Sequence, residues 1–442
     1  MSQAPTQNKE VEIPIRTTAY EGKKLRYRTP NSLTEWRVDS LFLEEPDTVR
    51  WLSCMKEGEV LIDIGANVGM YSTLAAAGRN MQVYAFEPES QNHSLLNQNI
   101  YLNNLSDKIT AYCVGLSDIS GLSKLYLGHM DAGGAFHSSG EALDFNLEPL
   151  HTPFIQGCVL MTLDQMVEDG TIPMPDHIKL DVDGFEYKVV NGMMKTIRNL
   201  KVKSVAIELN PNLPEHQQVF EQMAELGFTY FENQRAESCL EEGPFKNIGN
   251  VIFYRAPWPE YEELYQRQIG PMRVEKSITQ MLKNISENPL QRDPEKISLI
   301  ENAFPEEFYQ NLLNNLPNED LYDSIDGTSL KIFKLDASYI NRLPGSEIPF
   351  WSQLEYELGS NDQVIGLVEG LFPQLDAKKL KLTAVIVQGD ETQLNSFSAK
   401  SLIALHFNLD GGNDALLNVQ GRGLEAGNGF SSQHRLIYTI DI

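Results

Sequence analysis

Short apolar runs alternate with amphipathic stretches over the first 255 residues of the chain. EVLIDIG (59–65) is an apolar run closed by turn residues, which predicts a buried strand. MYSTLAAAG (70–78) follows and predicts a helix that ends at Gly78. QVYAFEP (82–88) predicts a second strand stopped by Pro88, and ESQNHSLLNQNIYLNN (89–104) a helix burying Leu95, Leu96, Ile100 and Leu102. KITAYCVGLS (108–117) reads as a third strand and SKLYLG (123–128) as a short one. HIKLDVDG (177–184), VKSVAIELN (202–210) and NVIFYR (250–255) read as further strands. Between them, FEYKVVNGMMKTIRNL (185–200) and EHQQVFEQMAELG (215–227) read as helices. EEPDTVRWLSCM (44–55) and MTLDQMVED (161–169) add two more. Strands and helices alternating at this spacing predict an α/β fold with a parallel sheet covered on both faces.

The flanks read differently. Residues 1–25 are polar and predict a loose arm. From about 256, APWPEYEELYQRQIG is acidic and aromatic and reads as a linker or bridging helix. Residues 272–320 read as helical, and 325–442 as mixed, with strand-like KLTAVIVQ (381–388), SLIALHFNL (401–409) and RLIYTIDI (435–442). The expected division is an arm at 1–40, an α/β domain at 41–256, a linker at 257–275 and a smaller α+β accessory domain at 276–442.

Composition narrows the class. A chain of 442 residues fits two domains at ~150–200 residues each. Lys and Arg number 36 against 61 Asp and Glu, so the formal charge is 36 − 61 = −25. That charge disfavours nucleic acid and anionic membranes as partners. The four cysteines, at 54, 113, 158 and 239, show no metal-ligand spacing, a reduced-compartment pattern. The first residues lack the apolar core of a signal peptide, and no apolar run is long enough to span a bilayer. These features predict a cytoplasmic protein.

The stretch VLIDIGANVGMYS (60–72) asks for a ligand. A strand, a glycine-rich turn and a helix start would present backbone N–H groups and the positive end of a helix dipole. Gly65 and Gly69 would let a ligand approach the backbone. The spacing is G-x-x-x-G rather than the G-x-G-x-x-G of a dinucleotide site. Asp63 precedes the first glycine and would repel a pyrophosphate. It suits instead a ligand carrying an ammonium beside a carboxylate, as S-adenosylmethionine does. Glu87 ends the second strand, where a carboxylate accepts hydrogen bonds from ribose hydroxyls of either ligand. VGLSD (114–118), with Gly115, ends the third strand, where backbone can meet an adenine edge.

LIDIGANVGMYSTLAA, VYAFEPES, TLDQMV and IKLDVDGFEYKVVNGM, led by EEPDTVRWL, resemble the FkbM-type S-adenosylmethionine-dependent methyltransferases over residues 40–255. The resemblance implies the class I methyltransferase fold, Rossmann-like, with seven strands and the last one antiparallel. It implies methyl transfer to a hydroxyl of a small-molecule acceptor, a sugar or secondary metabolite. By motif position, Asp63, Gly65, Ala66, Asn67, Gly69, Glu87 and Gly115 would bind the cofactor. Asp181, Asp183, Gly184 and Glu186 would form the fourth-strand motif. The family commonly has glutamate where Asp183 stands.

Methyl transfer is in-line displacement at an activated carbon, so the protein mainly positions the reactants. A hydroxyl acceptor also benefits from a base within reach of its proton. Asp181 falls at the carboxyl end of its strand, Asp183 in the turn, and Glu186 at a helix start that favours an acid. Three carboxylates so close would raise one another's pKa, or equally could gather magnesium; no metal is assigned from spacing. Glu208 and Asn210 end the fifth strand as candidate acceptor contacts. His177 reads as structural, at the far end of its strand. The Gly/Ser-rich loop within 129–158, with His137, Ser138 and Ser139, reads as an acceptor lid.

The C-terminal part weakly resembles proteins related to 2-oxoglutarate/iron dioxygenases. That site needs two histidines and a carboxylate. His406 and His434 are the candidates, but Asn408 stands where the acid belongs and Asp410 is displaced. An accessory domain is the preferred reading. The alternatives to a methyltransferase are an NAD-dependent oxidoreductase, a non-catalytic cofactor-binding scaffold, and a bifunctional enzyme with an oxygenase-like domain.

Overall fold

The computed structural model describes residues 13–268, 272–287, 298–300, 303–325, 328–360, 381–388, 403–408, 415–419 and 434–441. They divide into two compact units, Met1–Phe231 with Ser238–Trp258, and Glu232–Glu237 with Pro259–Ile442.

The first unit opens with a hairpin, β1 (Ile15–Tyr20) and β2 (Lys23–Arg28), turned through Glu21 and Gly22 at positive φ. Tyr20, Leu25 and Tyr27 are buried, the Tyr27 hydroxyl meets Thr73 Oγ1 at 2.5 Å, and the Arg28 amide donates to Asn99. This segment is therefore part of the folded unit and not the loose arm its polarity suggested. Alternate apolar residues reach inward while lysines and arginines stay wet. Helix α1 (Ser32–Asp39) starts with a capping box between Asn31 and Thr34, and α2 (Pro46–Ser53) with proline in its first turn.

The α/β core follows: β3 (Val60–Ile64), α3 (Met70–Arg79), β4 (Gln82–Phe86), α4 (Ser90–Leu102) and β5 (Ile109–Tyr112). An excursion of β6 (Gly115–Leu116), β7 (Gly121–Leu127), β8 (His137–Ser139) and β9 (Phe154–Met161) forms a separate four-stranded sheet. The chain returns through α5 (Leu163–Glu168), β10 (His177–Leu180), α6 (Glu186–Asn191), α7 (Met194–Arg198), β11 (Ser204–Leu209) and α8 (Pro214–Glu225), and, after α9 (Glu232–Ser238), of which Glu232–Glu237 belong to the second unit, closes with β12 (Gly249–Tyr254). The main sheet runs β12-β11-β10-β3-β4-β5, parallel except for β12, which is antiparallel to β11. The α/β, Rossmann-like expectation therefore holds. Strands β3, β10 and β12 are buried at every position, as a sheet covered on both faces requires. Each fully buried Val, Ile or Leu contributes ~1.5–3 kcal/mol.

The sheet has six strands where seven were expected. The place of another strand beyond β12 holds one bridge, between Thr229 and Tyr254. Residues 228–231, between the positive-φ Gly227 and α9, hold that bridge and no strand.

Three further readings change, each for a tertiary reason. Gly78 does not end α3, whose cap is Asn80 at φ 54°; a Cβ on Gly78 would lie 2.5 Å from the Tyr20 ring. The run 108–117 is two strands in two sheets, because Gly115 and Leu116 pair with β9. The helix expected over 185–200 breaks into two around Gly192, where a Cβ would lie 2.0 Å from the Ser117 carbonyl oxygen.

The second unit contains α10 (Pro259–Gln266), α11 (Val274–Glu287), β13 (Ser298–Ile300), α12 (Glu306–Asn314), β14 (Asp323–Ser324), β15 (Lys331–Lys334), α13 (Ala337–Ile340), α14 (Ile348–Ser360), β16 (Lys381–Gln388), β17 (Ile403–Asn408), β18 (Ala415–Val419) and β19 (His434–Asp441). Its seven strands run β13-β18-β17-β19-β16-β15-β14, every pairing antiparallel. The segment expected as a linker contains α10, whose Tyr261 and Tyr265 are buried. His406 lies in β17 and His434 opens β19, its neighbour, with Asn408 opposite Arg435. Asp410 lies outside the described residues.

Candidate functional site

The strand order reverses between β3 and β10: the chain winds outward through β4 and β5, then returns to the other side. Ligands of open α/β sheets bind at the carboxyl ends of strands at such a switch point. Two adjoining cavities lie there. One covers the ends of β3, β4 and β5 and is lined by Asp63, Gly65, Ala66, Asn67, Glu87 and Gly115 among others. The other, of about 320 Å³, faces β10, β11 and β12. Arg37, Glu45, Met70, Tyr71, Ala135, Asp181 and Asp183 line both.

In the first cavity Glu87 stands at the tip of β4. Its Oε2 accepts from the Asn67 amide at 2.9 Å and its Oε1 from the Glu89 amide at 2.8 Å. Each oxygen retains a lone pair for a ligand hydroxyl. Burial pushes its pKa up to about 8 against those two hydrogen bonds. Asp63 is raised too, by burial, and accepts from Ser72 Oγ at 2.5 Å.

The glycine turn differs from its expectation. The Gly65 and Ala66 amides donate to the Phe86 carbonyl, Asn67 to Glu87, Val68 to the Asn67 side chain and Gly69 to Ala66. All five are engaged within the protein, so the turn offers no cradle for phosphates. A Cβ on Gly65 would lie 1.8 Å from the Asp181 carbonyl oxygen, and one on Gly69 2.3 Å from Leu96. Both glycines stand at positive φ and make room for neighbouring protein, β10 and α4, and Gly65 also lines the first cavity. Gly69 lines neither cavity.

The shared wall carries a charge ladder. Lys179, 2% exposed in β10, donates to Asp181 at 2.9 Å and lies 3.7 Å from Glu45. Burial alone would lower it, but Asp181, Glu45 and Asp63 hold it above its usual value. Asp183, at φ 57°, accepts from the Phe136 and His137 amides at 2.8 and 3.3 Å through Oδ2. Burial and Asp181 push its pKa up to about 7. Glu186 lines neither cavity; its Oε1 accepts from the Val182 and Gly184 amides and locks the turn after β10. Burial pushes it up to about 8. Sequence grouped Asp181, Asp183 and Glu186; the fold gathers Asp181, Glu186 and Glu208, one oxygen of each lying within 4.8 Å of the others.

The loop expected as a lid is tied across the first cavity. Gly134 O accepts from Asn67 and Asn92, the Gly133 amide donates to Asn92, and Gly133 O accepts from Arg37 Nε at 2.6 Å. His137 lines the cavity with Nδ1 buried and without a partner, and burial pushes its pKa down to about 4. Phe136, Phe145 and Phe245 cluster on the second cavity with centroids 4.7–5.9 Å apart. His177 is far from this chemistry, stacked on Trp258 and bonded to Ser204 and Glu59.

Sequence reading missed Arg37, Glu45, Tyr71, Lys179 and the three phenylalanines. Lys179 carried a signal, a lysine inside an apolar central strand. The others come from distant segments with no shared motif.

Residues 63–230 match the methyltransferase FkbM domain. The resemblance carried by the motifs is borne out over those residues. The chain is 29% identical over 177 residues to the hexuronic acid methyltransferase AglP of Haloferax volcanii, a match covering 39% of this chain. It spans 65% of that relative's length, short of two thirds. Among solved structures, magnesium protoporphyrin IX methyltransferase (ChlM) from Synechocystis PCC 6803 with bound SAM overlaps at a TM-score of 0.30 and 13% identity, covering 51% of this chain and 85% of that one. The M. jannaschii TYW2 complex with AdoMet overlaps at 0.29 and 10% identity, covering 55% and 88%. No helix among the described residues is long and apolar enough to cross a membrane.

Proposed function

We propose that the first unit is an S-adenosylmethionine-dependent methyltransferase that methylates a hydroxyl of an acidic sugar. The observation that carries this reading is the wall shared by the two cavities, where a donor in one would meet an acceptor in the other. The donor set fits the cofactor. Glu87 presents open lone pairs for the ribose hydroxyls. Asp63 and the wall carboxylates suit an ammonium and a sulfonium. The turn's engaged amides disfavour a dinucleotide. Bound there, S-adenosylmethionine would supply an activated methyl group.

The chain's own residues do the rest. Asp183 lines both cavities and uses only Oδ2 to hold the strap, so Oδ1 is placed to take the acceptor's hydroxyl proton. Asp181, held by Lys179, positions the acceptor's oxygens. The Phe136–Phe145–Phe245 cluster suits the C–H face of a sugar ring. Arg37 gives Nε to Gly133, leaving its outer nitrogens for a carboxylate. A hexuronic acid unites these features, and the relative AglP is named for that acceptor class.

Calorimetry with S-adenosylmethionine, S-adenosylhomocysteine and NAD tests the cofactor; micromolar binding of the first two and none of NAD is expected. Methyl transfer to a glucuronide should exceed transfer to the matching glucoside, and Arg37→Gln should erase that preference. Failure to bind the methyl donor overturns the reading; equal transfer to both sugars overturns the acceptor assignment alone.

A further inference from the structure

We propose that Asp181, Glu186 and Glu208 form a site for a hard divalent cation of the magnesium class beside the acceptor cavity. One oxygen of each carboxylate lies within 4.8 Å of the others, a separation that a shared ion can bridge. Acidic side chains gather at many protein surfaces without holding anything, so the argument turns on Glu186. Its side chain is 1% exposed. Oε1 accepts from the Val182 and Gly184 amides at 2.9 and 3.2 Å, while Oε2 is buried and accepts from nothing.

The neighbouring histidine does not fill that role. His216 Nε2 lies 3.6 Å from Glu186 Oε2 but donates to the Gly184 carbonyl at 3.0 Å. Its Nδ1 accepts from the Asn210 amide at 3.0 Å, so the ring is neutral with both nitrogens engaged. The largest charge effects on Glu208 come from Asp181, Glu186, Asp183 and Glu45, all carboxylates. Lys179 is turned to Asp181 Oδ2 and Glu45, which leaves Asp181 Oδ1 available. A buried polar atom without a partner is a costly feature for a fold to carry. Here Glu186 Oε2 is that feature, and a dication among three carboxylates removes it.

The donors are all oxygen, which selects magnesium, manganese or calcium over zinc. Three single-oxygen arms leave other coordination positions open. Asp181 and Glu208 line the acceptor cavity, so those positions face acceptor oxygens or water. The site stands apart from the methyl-donor reading, since none of its ligands needs the cofactor.

Manganese titration of the full chain without methyl donor, followed by electron paramagnetic resonance with magnesium as competitor, tests it. One saturable site displaced by magnesium is expected. Glu208→Gln and Glu186→Gln should each weaken binding by about tenfold or more. Asp107→Asn, at an exposed acid elsewhere, should leave it unchanged. Glu186→Gln keeps the carbonyl that the Val182 and Gly184 amides need. If that variant still does not fold, Glu208→Gln decides alone. Absence of saturable binding, or binding that neither variant weakens, overturns the site. Calorimetry with S-adenosylmethionine reads the cofactor separately, so the two proposals fail independently.

Discussion

The two ends of the main sheet both bury charge, and they treat it oppositely. At the amino end, Glu59 accepts from His177 at 3.0 Å, from the Lys56 amide at 2.7 Å, and from Lys203. His177 Nδ1 accepts from the Ser204 hydroxyl at 2.7 Å, and Ser204 Oγ accepts in turn from Trp51 at 2.8 Å. Asp176 is held by the Val60 amide and by Lys201 and Lys203. Each of these groups has its partner. At the carboxyl end, Asp181 and Lys179 pair, but Glu186 Oε2 and His137 Nδ1 are left without hydrogen bonds. The contrast separates structure from site. A satisfied polar network gives stability and rigidity; groups left unsatisfied in or beside a cavity wall are candidates for ligand chemistry.

The harshest way to break the contrast is to remove the buried lysine at the carboxyl end. Lys179→Met leaves Asp181, Glu45 and Asp63 facing one another in a buried place. A loss of ~3–5 kcal/mol is expected by denaturant unfolding. The double variant with Asp181→Asn should recover part of it, and a loss under ~1 kcal/mol would mean the ladder is already relaxed by water.

Breaking the amino end should cost less and leave the site alone. Glu59→Gln weakens the bonds to His177 and Lys203, with an expected loss of ~1–3 kcal/mol. Affinity for S-adenosylmethionine should match the parent chain within error. A drop in that affinity would mean the two ends are coupled through β3 and β10.

The smallest effect sharpens the contrast by pH. Burial raises Glu59, but hydrogen bonds from His177 and Lys203 outweigh it and hold the pKa at about 2, below the ordinary 4.5. A depressed carboxylate stabilises the fold above its unfolded pKa and loses that contribution as pH falls through the folded one. The stability gap between parent and Glu59→Gln should therefore be full at pH 6 and shrink between about 4.5 and about 2. A gap constant over that window would show that Glu59 is not the titrating group.

Much of this was written in the order of residues. Apolar runs fall on β3, β4, β10 and β11, and the acids at 63, 87, 181 and 183 come to line the first cavity. These are local facts: a buried strand needs apolar side chains, and a strand-to-helix turn delivers its last residues to the sheet edge. What the sequence did not carry is which residues meet across the chain. Gly65 read as an opening for a ligand, yet it makes room for the Asp181 carbonyl. Gly78 read as a helix stop, yet it makes room for Tyr20. Glu186 read as one of three neighbouring acids, yet its partner in space is Glu208, which belongs to the next strand. The sequence by itself determined the strands, the turn chemistry and the acids at the strand ends, because those depend on a residue and its near neighbours. Only the tertiary structure decided the second cavity, the strap across the first and the unpaired carboxylate. Each needs segments far apart in the chain to be brought within a few ångströms, a distance no linear pattern encodes.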